Sequence, residues 1–232
     1  MMCLTKNLSE VSALAESFRR RDLGKWVLFA ILGILTVSAI VTAEHFLIDP
    51  RDPEWKHIAP YRWLLLPHAI AGVIALLAGP LQFSASLRRA RPLLHRKIGT
   101  AYVAGAVVAS LIGLYIGFTR EKWPLNYEQI AQAGGWLLCT VFAYAAARRR
   151  DIAVHRRWMA RSYAFTFVFV ASRLPLLDFK TVAEFATFMW FLVAGALVVP
   201  DLLLDVPALI RRRSNAAQSS ASSPSRPPSS DC

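Results

Sequence analysis

The chain has 232 residues, of which 55% are hydrophobic and only 18% are charged, and its mean hydropathy is +0.39. A soluble globular fold of this length would carry more surface charge, so the composition excludes that class. The net charge of +12 would suit a nucleic-acid partner. The basic residues cluster where apolar segments end, however, which is typical of membrane proteins. We therefore expect the lipid bilayer, and no nucleic acid, as the partner.

The two ends of the chain are polar. In residues 1–24, apolar side chains recur at helical spacing before Arg19–Arg21, which predicts a cytoplasmic amphipathic head lying on the membrane. Residues 211–232 are rich in serine, proline and alanine, which predicts a disordered cytoplasmic tail. The three cysteines are widely spaced and indicate neither a disulfide nor a metal site.

The apolar residues between these ends form blocks of about 17–25 residues, the length that crosses a bilayer core of about 30 Å. They predict an all-α, polytopic transmembrane bundle over residues 25–210. Its six spans are 26–43, 64–86, 99–118, 129–147, 159–177 and 184–208. The first block could also be a signal peptide, because Val41–Ala43 resembles a cleavage site, but the long charged head favours an uncleaved anchor.

Orientation follows from the distribution of basic residues. With both termini inside, about 20 of the 27 Lys and Arg residues lie on the cytoplasmic side. The sequence therefore predicts that both termini face the cytoplasm.

Two predicted cytoplasmic loops resemble each other at an offset of sixty residues. Residues 87–97 read LRRARPLLHRK and residues 147–157 read ARRRDIAVHRR, so that His95 matches His155. Each loop joins two spans into a hairpin, so a duplicated hairpin would be related by an axis along the membrane normal. A chance match of arginine-rich loops is the alternative.

Histidines are the main candidates for chemistry. Helical rise places His95 and His155 at the cytoplasmic surface and His68 near the outer one, on the order of 30 Å away. One hypothesis is a b-type haem clamped by His95 and His155, with a second haem at His45 and His68. Helix N-termini and neighbouring arginines would keep both inner imidazoles neutral, and Arg96 and Arg156 could hold haem propionates. The alternative is that these residues only contact anionic lipid head groups.

A second candidate site lies nearer the outer surface. Arg173 falls at the level of His68, and ionisable side chains at that depth usually face a partner inside the bundle. The alternative is structural: Arg173 extends to the nearby membrane surface, and His68 bonds to a helix carbonyl. Gln82 follows Gly79–Pro80, which interrupts the second span and frees carbonyls near residue 76, so Gln82 could bond a ligand or a neighbouring helix. Asp201 and Asp205 share one face of the last span and could pair with Arg96, Arg156 or Arg161.

These residues also resemble a known family. One string comprises His68, Gly79–Phe83, His95–Arg96, Gly99 and Tyr102, and a second comprises His155–Met159, Arg161–Ser162 and Arg173. Over about residues 60–205 the chain is similar to the bacterial predicted membrane proteins called domain of unknown function 2306. Thr100 stands where that family often has arginine. The resemblance implies a multi-pass membrane protein, which in a bacterium would lie in the inner membrane, and it implies no particular activity.

Three functions remain open from the sequence. The first is a redox or quinone-linked bundle that uses the histidines. The second is a transporter or lipid-handling protein with a polar pocket around His68, Arg173 and Gln82. The third is a structural or regulatory membrane protein that docks partners on its basic loops.

Overall fold

The computed structural model describes residues 59–119, 127–172 and 179–221, together with Arg51 and eight residues between 30 and 41. Of residues 206–221 only the helical backbone is described. After a short 3-10 turn at Ala59–Tyr61, six α-helices follow, and no strand occurs within these ranges. They are α1 (Arg62–Gln82), α2 (Ala85–Ala90), α3 (Pro92–Thr119), α4 (Tyr127–Arg148), α5 (Ile152–Ser172) and α6 (Val182–Ala221).

The helices confirm an all-α membrane protein. Four segments are long and apolar enough to cross a bilayer: α1, α3, α4 and Val182–Asp205 of α6. In α5 three arginines, Arg156, Arg157 and Arg161, lower the hydropathy of the N-terminal half. The predicted first span is described only in part, and its described residues from 30 to 41 are helical.

We call the end of the bundle that carries the two basic loops, residues 87–97 and 147–157, the basic end. At this end the helices start or stop at other residues than the predicted spans do. α3 begins at Pro92, seven residues before the predicted span, and α5 begins at Ile152, also seven residues early. The helices continue through the polar loops because hydropathy reports where the hydrocarbon core ends and not where the hydrogen-bond ladder ends. α6 likewise runs on to Ala221, into the segment for which the sequence predicts disorder.

Four helices form a ring in the order α1, α3, α4, α5, with α5 touching α1 and α6 packed outside against α5 and α4. The core between them is built largely from small residues, which let helix backbones approach closely in a membrane. The fully buried alanines are Ala75, Ala106, Ala109 and Ala143. In this ring α3 and α5 are diagonal neighbours.

A hydroxyl network crosses the centre of the ring. The Tyr102 hydroxyl on α3 lies 2.7 Å from Ser162 Oγ and 3.2 Å from Thr166 Oγ1 on α5, and Ser162 Oγ lies 2.7 Å from Thr140 Oγ1 on α4. Thr140 donates to the Trp136 carbonyl and Thr166 to the Ser162 carbonyl. These two donations and the hydroxyl–hydroxyl bonds give every hydroxyl in the network a partner, as buried polar groups in an apolar core require.

Candidate functional site: the histidine pair at the basic end

His95 and His155 occupy the same position in their helices. Each is the fourth residue of its helix, α3 or α5. Their amides make equivalent first-turn bonds, from His95 to the Arg91 carbonyl at 3.0 Å and from His155 to the Asp151 carbonyl at 2.9 Å. The sixty-residue offset in the sequence therefore corresponds to equivalent places in the two hairpins.

The two histidines lie close enough to interact electrostatically, and His95 also interacts with the charges of Arg88 and Arg96. Two turns deeper, Tyr102 and Ser162 bond to each other, and this pair is also sixty residues apart. Equivalent residues meet in this way when two hairpins are related by an axis running between them, parallel to the helices. The repeat thus places the two imidazoles at the same level on diagonal helices, within electrostatic reach of each other.

The polar contacts of the two rings differ. His155 Nδ1 lies 2.8 Å from the carbonyl oxygen of Ala143 on α4. Because a carbonyl only accepts, Nδ1 carries the proton, and the lone pair of a neutral ring is on Nε2. His95 Nδ1 is buried, and no described atom forms a hydrogen bond with it. The hydrogen bond to Ala143 therefore orients the His155 ring with its lone pair on Nε2. His95 instead has a buried nitrogen, Nδ1, without a hydrogen-bond partner among the described residues.

Gln82 lies beside this pair, in the last turn of α1. Its Nε2 donates to the His95 carbonyl at 3.3 Å, and its Oε1 approaches Gly99, where an added Cβ would come within 3.0 Å. Gln82 therefore holds the first turn of α3 against the end of α1. Of the two roles considered for this residue, the contacts support the link to a neighbouring helix.

His68 lies elsewhere. Its Nδ1 is 2.9 Å from the carbonyl oxygen of Ala109 on α3, and its ring faces Gly113. Ala109 comes fourteen residues after His95, which corresponds to about 21 Å along the helix. That distance is shorter than the sequence estimate but still far too long for a shared ligand. Arg173 and His45, the predicted companions of His68, lie outside the described residues.

The arginines near the two histidines lie in two different surroundings, one beside His95 and one between α5 and α6. Arg88 and Arg96 act on His95, whereas Arg156 lines a cleft between α5 and α6 with Arg157 and Asp205. The histidine pair therefore keeps Arg96 as a neighbour, and Arg156 faces α6.

The two aspartates of α6 hold it to α5. Asp201 pairs with Arg161, one of the expected partners, and Asp205 pairs with Arg157 at 2.6 Å, which the sequence analysis did not identify. Arg161 also stacks over the Trp158 ring, 4.5 Å from its centroid. These pairings depend on the rotation of each helix about its axis, which charge spacing alone does not give.

The residues at the histidine pair fit a haem in the chemistry of their donors: two imidazoles from facing helices and arginines for propionates. Among the described residues no group of three or more His, Cys, Asp or Glu side chains could hold a metal ion. Neither the groove along the first turns of α6 nor the cleft between α5 and α6 is lined by a histidine.

The family model described as Predicted membrane protein (DUF2306) matches residues 65–206. The chain belongs to this family. No curated protein and no solved structure shows significant similarity to the chain. Family membership and the four apolar helices together establish a multi-pass membrane protein.

Several of the motif residues that carry the family resemblance contact one another or a shared neighbour in the structure. Gly79 lies directly under the Tyr163 ring, and Phe83 packs on the same ring with centroids 5.6 Å apart. Gln82 bonds to His95, and Tyr102 bonds to Ser162. The motifs thus join α1, α3 and α5 around the basic half of the bundle.

Proposed function

We propose that this protein is a membrane redox protein that binds one b-type haem between His95 and His155 at the basic end of the bundle. The observation that carries the proposal is the equivalent placement of the two histidines, each the fourth residue of one of the diagonal helices α3 and α5, within electrostatic reach of each other. Bis-imidazole ligation takes one histidine from each of two facing helices, and α3 and α5 supply them.

Each neighbouring residue then has a definite task. The Ala143 carbonyl fixes the tautomer and direction of His155, in the way that metal-bound histidines are usually held. Gln82 holds the turn that carries His95. The guanidinium groups of Arg88 and Arg96 provide positive charge for the haem propionates.

When bound, the haem would supply one-electron transfer, and His95 and His155 would hold it at the basic end. Burial and nearby positive charge both tune the potential of such a group. The electron donor and acceptor would reach it from the basic end.

An absorption spectrum tests the proposal. Protein purified from haem-sufficient cells should show a Soret band that shifts on dithionite reduction, with about one haem per chain. His95→Ala and His155→Ala should each lose the band. His68→Ala is the matched control and should retain it, because His68 lies about 21 Å away along α3.

Two results would contradict the haem site. One is a colourless wild-type protein that also fails to take up hemin in a titration. The other is loss of the band in His68→Ala together with its retention in His95→Ala, which would move the site to the outer half.

The residues at the basic end also suit contact with lipid head groups, which bears on the membrane in which the protein lies. Arg89 and Arg149 are exposed there beside the apolar side chains of Leu93 (71% exposed) and Ile152 (55% exposed). We propose that this surface lies on anionic head groups of the cytoplasmic leaflet of a bacterial inner membrane. Fractionation of cells into inner and outer membranes tests the location, and recovery in the outer membrane would contradict it.

A further inference from the structure

A cleft of about 180 Å³ opens between α5 and α6 at the basic end, and it is separate from the histidine pair. It is lined by Ala153, Arg156, Arg157, Leu204 and Asp205. Arg156 and Arg157 lie at the start of α5, directly after a basic loop, and Asp205 of α6 pairs with Arg157 there. Clustered basic residues mark the edge of the hydrocarbon core, so the cleft opens near the depth of phospholipid head groups.

The charges in this cleft have both signs. Arg157 Nη2 lies 2.6 Å from Asp205 Oδ1, and the two side chains are 49% and 46% exposed. Arg156 is exposed at the same mouth. The Asp205 carboxylate has a second oxygen, since a carboxylate can accept several hydrogen bonds at once. Ala153 and Leu204 add apolar walls.

Such a lining selects among lipids. Two guanidinium groups suit a phosphate, and the carboxylate beside them favours a head group that also carries a positive charge over one that carries only the phosphate charge. A primary ammonium on the same molecule would donate hydrogen bonds to that carboxylate. A quaternary choline head group has no N–H to donate.

We propose that the α5–α6 cleft binds the head group of phosphatidylethanolamine, with the phosphate at Arg156 and the primary ammonium at Asp205. The site would anchor the basic end of α6 in the leaflet by a specific lipid. It does not depend on the haem proposal, because it uses no residue of the histidine pair.

The test is lipid retention by the full-length protein, measured by native mass spectrometry after incubation with equal amounts of phosphatidylethanolamine, phosphatidylcholine and phosphatidylglycerol. Wild type should retain phosphatidylethanolamine about tenfold better than either competitor, the value of one charge-assisted hydrogen bond. Asp205→Asn should abolish the preference over phosphatidylglycerol, and Asp205→Glu should restore it.

Two variants of basic residues complete the test. Arg156→Gln should lower retention of phosphatidylethanolamine, while Lys180→Gln, at an exposed position in the α5–α6 loop away from the basic end, should not. Equal retention of the three lipids by wild type would overturn the proposal. So would a preference for phosphatidylethanolamine that survives Asp205→Asn.

Discussion

The hydroxyl of Tyr163 on α5 lies 3.5 Å from the carbonyl oxygen of Leu76 on α1, the long end of the hydrogen-bond range. Pro80 lies four residues after Leu76 inside the same helix and has no N–H to donate to that carbonyl. The proline therefore frees an acceptor inside the bundle, and a neighbouring helix supplies a donor. The sequence predicts that carbonyls near residue 76 lack a helical donor, and in the structure the Leu76 carbonyl accepts a hydrogen bond from Tyr163.

The first prediction concerns Gly79, which lies under the Tyr163 ring. A Cβ at this position would overlap the ring, so Gly79→Ala should lower the free energy of unfolding by about 1–3 kcal/mol. Gly72 in the same helix has nothing within 4 Å of an added Cβ, so Gly72→Ala is the matched control and should be neutral or slightly stabilising. Unfolding in mixed micelles measures both. Equal decreases in the free energy of unfolding in the two variants would show that the loss comes from replacing a helical glycine and not from overlap with the Tyr163 ring.

The second prediction concerns the hydroxyl network at the centre of the ring. Tyr102→Phe removes the hydroxyl that bonds Ser162 and Thr166 and should cost about 1 kcal/mol. Tyr115 on the same helix is 56% exposed, so Tyr115→Phe should change stability very little. The two variants are compared by denaturant titration. A Tyr102→Phe protein as stable as wild type would mean that Ser162 and Thr166 find other partners at no cost.

The third prediction separates the two ion pairs between α5 and α6. Asp201 and Arg161 are mostly buried, so Asp201→Ala leaves a cation without its partner and should cost about 3 kcal/mol. The Asp205–Arg157 pair is about half exposed, and Asp205→Ala should cost less than about 1 kcal/mol. A double-mutant cycle with Arg161→Ala measures the coupling in the inner pair. Similar small effects in both pairs would show that Arg161 reaches water when Asp201 is absent.

The fourth prediction concerns orientation. In a protein whose native cysteines are replaced, Lys180→Cys should react with a membrane-impermeant maleimide in intact spheroplasts. Arg149→Cys should react only after the membrane is opened, because the basic loops are expected inside. Both positions are exposed, so access depends on sidedness alone. The reverse labelling pattern would invert the proposed topology and place the histidine pair outside.

The positions of four membrane helices were accessible from the sequence because the thickness of a bilayer fixes the length of each apolar block. α1, α3, α4 and α6 each overlap a predicted span. The starts of α3 and α5 were not accessible in the same way. Polar first turns such as those carrying His95 and His155 extend beyond the hydrocarbon, where hydropathy gives no signal.

The candidate site was predictable in part. The repeated loops indicated that His95 and His155 are equivalent, but only the ring arrangement places them on diagonal helices within electrostatic reach of each other. The contact of His155 with the Ala143 carbonyl has no sequence signal, because a backbone acceptor is present at every residue. The pairing of Asp205 with Arg157 could not be predicted, because it depends on the rotation of α5 and α6 about their axes. The four-residue spacing of the two aspartates does not determine that rotation.

The Tyr102–Ser162 hydrogen bond lies seven residues after each histidine, two helical turns deeper on both diagonal helices. It ties α3 to α5 across the ring, so the separation of these two helices is fixed directly below the histidine level. A group held by both imidazoles would bind two helices whose spacing is already set, and less conformational entropy would be lost on binding.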